Sequence, residues 1–116
     1  TVELQDPTMY GRIVREENGT THIVEKEYLT DEQKKINETS TGTFCFDRQW
    51  FEKMFPTMPM MKKINEYGLP TTLSVANEQG KKIQVIKLEN NDEWFGINTQ
   101  EELDKANDLK NQVSSI

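Results

Sequence analysis

Asp6-Pro7-Thr8-Met9-Tyr10-Gly11-Arg12-Ile13-Val14-Arg15 runs through Glu17-Asn18-Gly19-Thr20 into Thr21-His22-Ile23-Val24-Glu25. Two β-rich runs flank an Asn-Gly pair that tolerates the positive backbone angles of a tight type I′ turn. Residues 10–25 therefore read as a β-hairpin. Upstream, Thr1 to Leu4 alternate apolar and polar until Asp6-Pro7 breaks the run. The chain opens on Thr1 inside that strand-like run. We therefore expect a piece of a longer protein, whether engineered, processed or proteolytic.

Working outward, Thr30-Asp31-Glu32-Gln33 is a capping-box pattern that predicts a short helix through about Ile36. Thr41 to Phe46 reads as a buried strand, with Cys45 packed in the core between Phe44 and Phe46. Asp47 is placed to cap a helix carrying Trp50, Phe51, Met54 and Phe55 at helical spacing, ended by Pro56. Pro56-Thr57-Met58-Pro59-Met60-Met61 reads as a loop of flexible apolar side chains. A helix is expected from about Pro70 to Gln79 with Gly80 as its stop. Lys82 to Leu88 and Trp94 to Ile97 read as strands. Thr99-Gln100-Glu101-Glu102 is a second capping box, opening a helix with Leu103, Ala106, Leu109 and Val113 inward. Strands alternate with helices, so the fold class expected is α/β: a mixed sheet with a β-hairpin and flanking helices. The strands are too few for a complete doubly wound sheet, so residues 1–116 read as half of a domain.

Composition narrows the function. Of 116 residues, 34% are hydrophobic, so Trp50, Trp94 and the five phenylalanines are expected to supply much of the core. The formal net charge of -6, with no dense Lys/Arg run, argues against nucleic-acid partners, which need phosphate-neutralising cations. No apolar run approaches the ~20 residues that span a bilayer, and no secretory signal is visible. One cysteine, Cys45, and one histidine, His22, exclude an intrachain disulfide and His- or Cys-rich metal sites. The cysteine usage agrees with a reducing, cytoplasmic setting.

Four segments in order resemble the bacterial-type N-acetylglucosamine-1-phosphate uridylyltransferases. Asp6-Pro7-Thr8-Met9-Tyr10-Gly11-Arg12-Ile13 is similar to the family's D-P-T-G-Y-G-R-I. Ile23-Val24-Glu25 with Thr30-Asp31-Glu32-Gln33 is similar to I-V-E-x-K-D-A-T-x-E-Q. Ser40-Thr41-Gly42 stands where the family has N-T-G, and Phe95-Gly96-Ile97-Asn98 is similar to L-G-V-N-N-R. The resemblance implies the sugar-binding, C-terminal part of a Rossmann-like nucleotidyltransferase domain, without its nucleotide-binding half. It also implies a cell-wall (peptidoglycan) precursor enzyme that takes UTP and N-acetylglucosamine 1-phosphate, forms UDP-N-acetylglucosamine and pyrophosphate with Mg2+, and assembles as a homo-oligomer.

Carried over by position, Gly11 offers backbone to the sugar, Glu25 accepts its hydroxyls, Ser40 and Thr41 lie beside its pocket, and Asn98 is a magnesium ligand. Residue chemistry is compatible with these roles. A glycine allows close approach, an ionised carboxylate accepts two hydroxyls, and an amide oxygen suits a hard cation. Each also has a plainer reading: a turn glycine, a solvated surface glutamate, and a turn asparagine ahead of a helix cap.

Departures from the family bear on sugar specificity. Ser40 replaces an asparagine, Thr99-Gln100 replaces N-R, and Glu66-Tyr67-Gly68-Leu69-Pro70 stands where many members have E-Y-Y-L-T-D. The family's G-x-G-T-R-M phosphate loop, basic lysine and metal-binding aspartate have no counterpart here. No catalytic residue is therefore assigned, and the isolated chain is expected to be inactive. Two alternatives stay open at this point. One is a non-catalytic interaction module, motivated by Met58, Met60 and Met61. The other is a fragment of a uridylyl- or thymidylyltransferase acting on another hexose 1-phosphate.

Overall fold

The hairpin forms where the sequence places it, and the rest is arranged around its two faces. The structure is a computed structural model that describes residues 1–113. Strand β1 (Val2–Glu3) is followed by β2 (Arg12–Arg15), β3 (Thr21–Val24) and β4 (Glu38–Thr39). Helices α1 (Arg48–Met54), α2 (Thr71–Glu78) and α3 (Gln100–Val113) complete the regular elements, with short 3-10 turns between. The chain is thus mixed α/β. Its strands pair as two small antiparallel sheets, β1 with β4 and β2 with β3, rather than as one mixed sheet.

In the hairpin Arg12 pairs with Val24, Ile13 with Ile23, Val14 with His22 and Arg15 with Thr21. Its turn differs from expectation. Gly19 N–H donates to Glu16 O at 2.9 Å, and Glu16 N–H donates to Thr20 O at 2.9 Å. Only Gly19 in this loop has a positive φ, +86°. The connection is therefore a type I turn completed by a glycine bulge, and Asn18 instead accepts the Thr20 N–H at 2.9 Å.

The side-chain caps form as read. Asp47 accepts the Trp50 N–H at 2.8 Å and opens α1. Thr99 and Glu102 exchange the two bonds of a capping box at the start of α3. Thr30 and Gln33 do the same, but the chain there makes only a 3-10 turn over Gln33–Lys35. Gly80, at φ +63°, ends α2. Asn77 Nδ2 donates to Thr21 O at 2.9 Å and Trp50 Nε1 to Gln79 Oε1 at 2.7 Å, fixing α2 to the hairpin and to α1.

Three expected strands do not form as expected. Thr41 to Phe46 is irregular, with Cys45 exposed rather than packed. Trp94 to Ile97 is irregular and follows a 3-10 turn. Residues 82–88 are assigned no strand, although Thr1 N–H donates to Ile86 O at 2.6 Å and Leu88 N–H to Thr1 O at 2.8 Å. Lys87 pairs with Glu3 at 2.6 Å across the same edge. A strand is completed by its neighbours' hydrogen bonds, and these apolar runs lack a ladder on one or both sides.

The core is accordingly thin and not aromatic. Its buried hydrophobic residues are Val2, Ile13, Val14, Met54, Met58 and Ala76, while Trp50 and Trp94 are only half-buried and Phe55 is exposed. Leu103 and Leu109, expected inward, are 41% exposed, and the side chain of Val113 lies outside the described residues. The radius of gyration, 16.0 Å, exceeds the about 13 Å of a compact domain of this length.

Between the sheets, Arg15 clasps the buried Glu38 through two hydrogen bonds of 2.6 and 2.9 Å. This pairing, helped by the Thr1 hydroxyl, lowers the Glu38 carboxyl to about 2. A carboxylate depressed below its ordinary value stabilises the fold above pH ~4.5, and the contribution disappears as pH falls toward 2. Arg15→Met should therefore lower unfolding stability at pH 7 by about 1–2 kcal/mol, since Arg15 is half exposed and solvent screens the pair. In denaturant titrations the gap between variant and wild type should close on acidification below pH 4.5.

Candidate functional site

Beside the hairpin lies a hollow of about 510 Å³, bordered by Tyr10, Gly11, Glu25, Ser40, Met61 and Glu66 among others. Gly11 enters β2 where the hairpin is closest to its partner strand. A Cβ there would stand 2.7 Å from the Val24 carbonyl oxygen and 3.3 Å from the Glu25 Cα. Only glycine fits that approach without displacing backbone. The Gly11 carbonyl accepts the Thr39 hydroxyl at 2.8 Å, which joins the hairpin to β4 and sets Ser40 on the rim.

Arg12 is buried although charged, and its Nη1 donates to Pro7 O at 2.7 Å, to Tyr10 O, and to Gly11 O at 3.4 Å. One guanidinium therefore gathers the carbonyls of the Pro7–Gly11 loop beneath the hollow, leaving its buried Nε without a partner. No role for Arg12 was read from the sequence. Its signal was a cation at an inward hairpin register, beside a glycine too crowded for a side chain.

Glu25 is half-buried at the end of β3. Burial pushes its carboxyl above the ordinary glutamate value, and the negative charges of Glu27 and Glu66 push it further. Ser40 Oγ accepts the Gly42 N–H at 3.1 Å, which leaves its hydroxyl hydrogen to donate outward.

Thr41 and Asn98 lie off this hollow. Thr41 borders a second, larger hollow of about 780 Å³ whose walls mix apolar side chains such as Ile13, Phe44 and Val85 with polar and charged ones, Ser40, Lys81 and Lys82 among them. The smaller hollow is the one that brings Gly11, Glu25 and Ser40 together. The Thr41 carbonyl accepts Trp94 Nε1 at 3.0 Å, and Trp94 meets the Tyr10 ring edge-on at 5.6 Å. Gly96 follows closely, where a Cβ would stand 2.5 Å from the Tyr10 hydroxyl. Asn98 is exposed in the capping turn of α3, its N–H donating to Glu102 at 2.7 Å. Among the described residues no cluster of three or more His, Cys, Asp or Glu could hold a metal ion. A single amide oxygen is one of the about six ligands magnesium takes, so these residues alone do not make a magnesium site.

A crowded hairpin glycine, a half-buried carboxylate and a hydroxyl border one hollow on an α/β scaffold, a candidate small-ligand site. No family model matches the chain. Among curated proteins it is 36% identical over 115 residues to the Bifunctional protein GlmU of Clostridium beijerinckii, covering 98% of this chain and 25% of that relative. It is 36% identical over 107 residues to that of Halalkalibacterium halodurans and 34% identical over 110 residues to that of Bacillus subtilis. Each of these two matches covers 91% of this chain and 24% of the relative. The chain thus spans about a quarter of the length of the curated relatives it matches. Over that span it is a homologue of the bifunctional GlmU proteins, the counterpart of one segment of them, which bears out the resemblance carried by its motifs.

Gly11→Ala should place a methyl against backbone rather than a yielding side chain. We expect a loss of about 2 kcal/mol in stability, read as a lower unfolding midpoint. The Glu25 amide resonance should shift with it, because the strand end must move.

Proposed function

We propose that this chain is the sugar-side portion of a Rossmann-like nucleotidyltransferase domain in a protein that joins UTP to N-acetylglucosamine 1-phosphate. The product would be UDP-N-acetylglucosamine, with release of pyrophosphate. The observation that carries the reading is the meeting of Gly11, Glu25 and Ser40 on one hollow, within a chain homologous to GlmU over nearly its whole length. In this reading the Glu25 carboxylate accepts two sugar hydroxyls, the Ser40 hydroxyl donates to a third oxygen, and the crowded Gly11 lets the ligand approach the backbone. Thr41 acts at one remove, through the Trp94–Tyr10 contact that walls the hollow. The relatives do not favour a non-catalytic module or a different hexose.

Magnesium belongs to the proposal only as a property of the longer protein. Asn98 would give one oxygen, and carboxylate and phosphate ligands would have to come from beyond the described residues. No step is assigned to it here. A cytoplasmic, homo-oligomeric protein of cell-wall precursor synthesis is part of the same reading. The described residues agree with it to the extent that none of their helices is long and apolar enough to cross a membrane.

The test is binding followed by NMR at millimolar N-acetylglucosamine 1-phosphate. Amide shifts should gather at Gly11, Glu25 and Ser40, and Glu25→Gln should weaken binding about tenfold through loss of a charged acceptor. Because the Glu25 carboxyl is raised, binding should begin to fail on acidification at a pH above the ordinary glutamate value of 4.5. Shifts scattered away from the hollow would refute the placement. Without a phosphate cradle the 116-residue chain should release no pyrophosphate from UTP, with or without magnesium; measurable turnover would refute that expectation.

A further inference from the structure

Gly68 stands in a segment, Glu66 to Pro70, that departs from the pattern of the family the chain resembles, and its surroundings show what takes the space beside it. A Cβ on Gly68 would stand 2.4 Å from Met61 Cε and 3.6 Å from Met61 Sδ. The Met61 thioether therefore lies where a side chain on residue 68 would begin, and both residues border the hollow that holds Gly11 and Glu25.

The backbone on both sides of this contact is fixed. Met61 N–H donates to Glu66 O at 2.8 Å in an isolated antiparallel bridge, and Asn65, at φ +54°, makes the return between them. The Gly68 carbonyl accepts both the Thr71 N–H at 3.1 Å and the Thr71 hydroxyl at 2.7 Å, which ties it to the start of α2. Lys63 anchors the same loop to the hairpin side: its N–H donates to the Tyr28 hydroxyl at 2.7 Å and its ammonium lies 5.3 Å from the ring centroid. Only the Met61 side chain is left to adapt. An unbranched thioether with three rotatable bonds does so at little cost and offers an apolar, polarizable surface.

The hollow thus has two characters. Glu25, Glu66 and Ser40 present oxygen to hydroxyls, while Met61, Ile64 and Leu69 present carbon. We infer that Met61, standing in the space vacated at Gly68, is the specificity-determining wall for the apolar substituent of the bound sugar phosphate, favouring a 2-acylamino sugar over one with a bare hydroxyl. A hydroxyl against the thioether loses its water without gaining a partner, whereas an acyl methyl gains contact. The inference rests on the sugar-binding reading given above and names what selects the sugar within it.

The experiment titrates the chain, with 13C-labelled methionine methyls, against N-acetylglucosamine 1-phosphate and glucose 1-phosphate. The Met61 methyl is assigned by its loss in Met61→Leu. We expect that methyl to shift with the N-acetyl ligand, and Met61→Ala to weaken this ligand about tenfold while changing glucose 1-phosphate less than about twofold. Gly68→Ala, which must push the thioether aside, should erode the same preference, with unfolding midpoints confirming that both variants fold. If neither sugar phosphate perturbs Gly11, Glu25 or Ser40 in the wild type, the sugar-binding reading itself fails and this inference with it. If both perturb them but the Met61 methyl stays still, or Met61→Ala weakens both equally, the sugar site stands and the role of Met61 is overturned.

Discussion

The contact between Gly11 and the backbone of Val24 governs how the hairpin meets the rest of the chain. With no Cβ at Gly11, the entry to β2 lies against the end of β3, and its carbonyl remains within reach of the Thr39 hydroxyl on β4. That one hydrogen bond couples the two small sheets at the point where the hollow opens. Arg12, the next residue, turns inward and holds the Pro7–Gly11 loop from below. Glu25, Ser40 and Tyr10 are therefore positioned by backbone geometry and a single buried cation, not by a large hydrophobic core.

The weakness of that core explains the irregular segments. Residues 41–46 and 82–88 have the composition of strands but line the hollow of about 780 Å³ instead of pairing across it. Phe46, Phe51 and Phe55 stack along one flank at 4.6 and 5.4 Å, yet Phe55 remains 53% exposed. The described residues leave that apolar flank uncovered.

The two hollows share Ile23, Ser40 and Phe44 but differ in what else lines them. The larger gathers Phe44, Phe46 and Val85 together with Lys81 and Lys82; the smaller sets Glu25 and Glu66 beside the Met61 thioether. Burial, with smaller contributions from the negative charges of Glu27 and Glu66, keeps the Glu25 carboxyl above its ordinary value.

By itself the sequence determined what closes between near neighbours in the chain, from the three-residue reach of a cap to the span of one hairpin. The hairpin, the Asp47 cap, the two capping boxes that formed their bonds, the Gly80 stop and the ordered motifs that marked the family were all legible, because their hydrogen bonds close locally. That Gly11, Glu25 and Ser40 belong together as candidate site residues was suggested only through those motifs, since each has a plainer local reading. The tertiary structure alone decided which apolar runs became strands, that Cys45 and Leu103 are exposed, that Arg12 is buried, and that Met61 occupies the space at Gly68. Those outcomes depend on contacts as distant in the chain as Thr1 with Ile86, where burial and ladder partners set the result and local propensity does not.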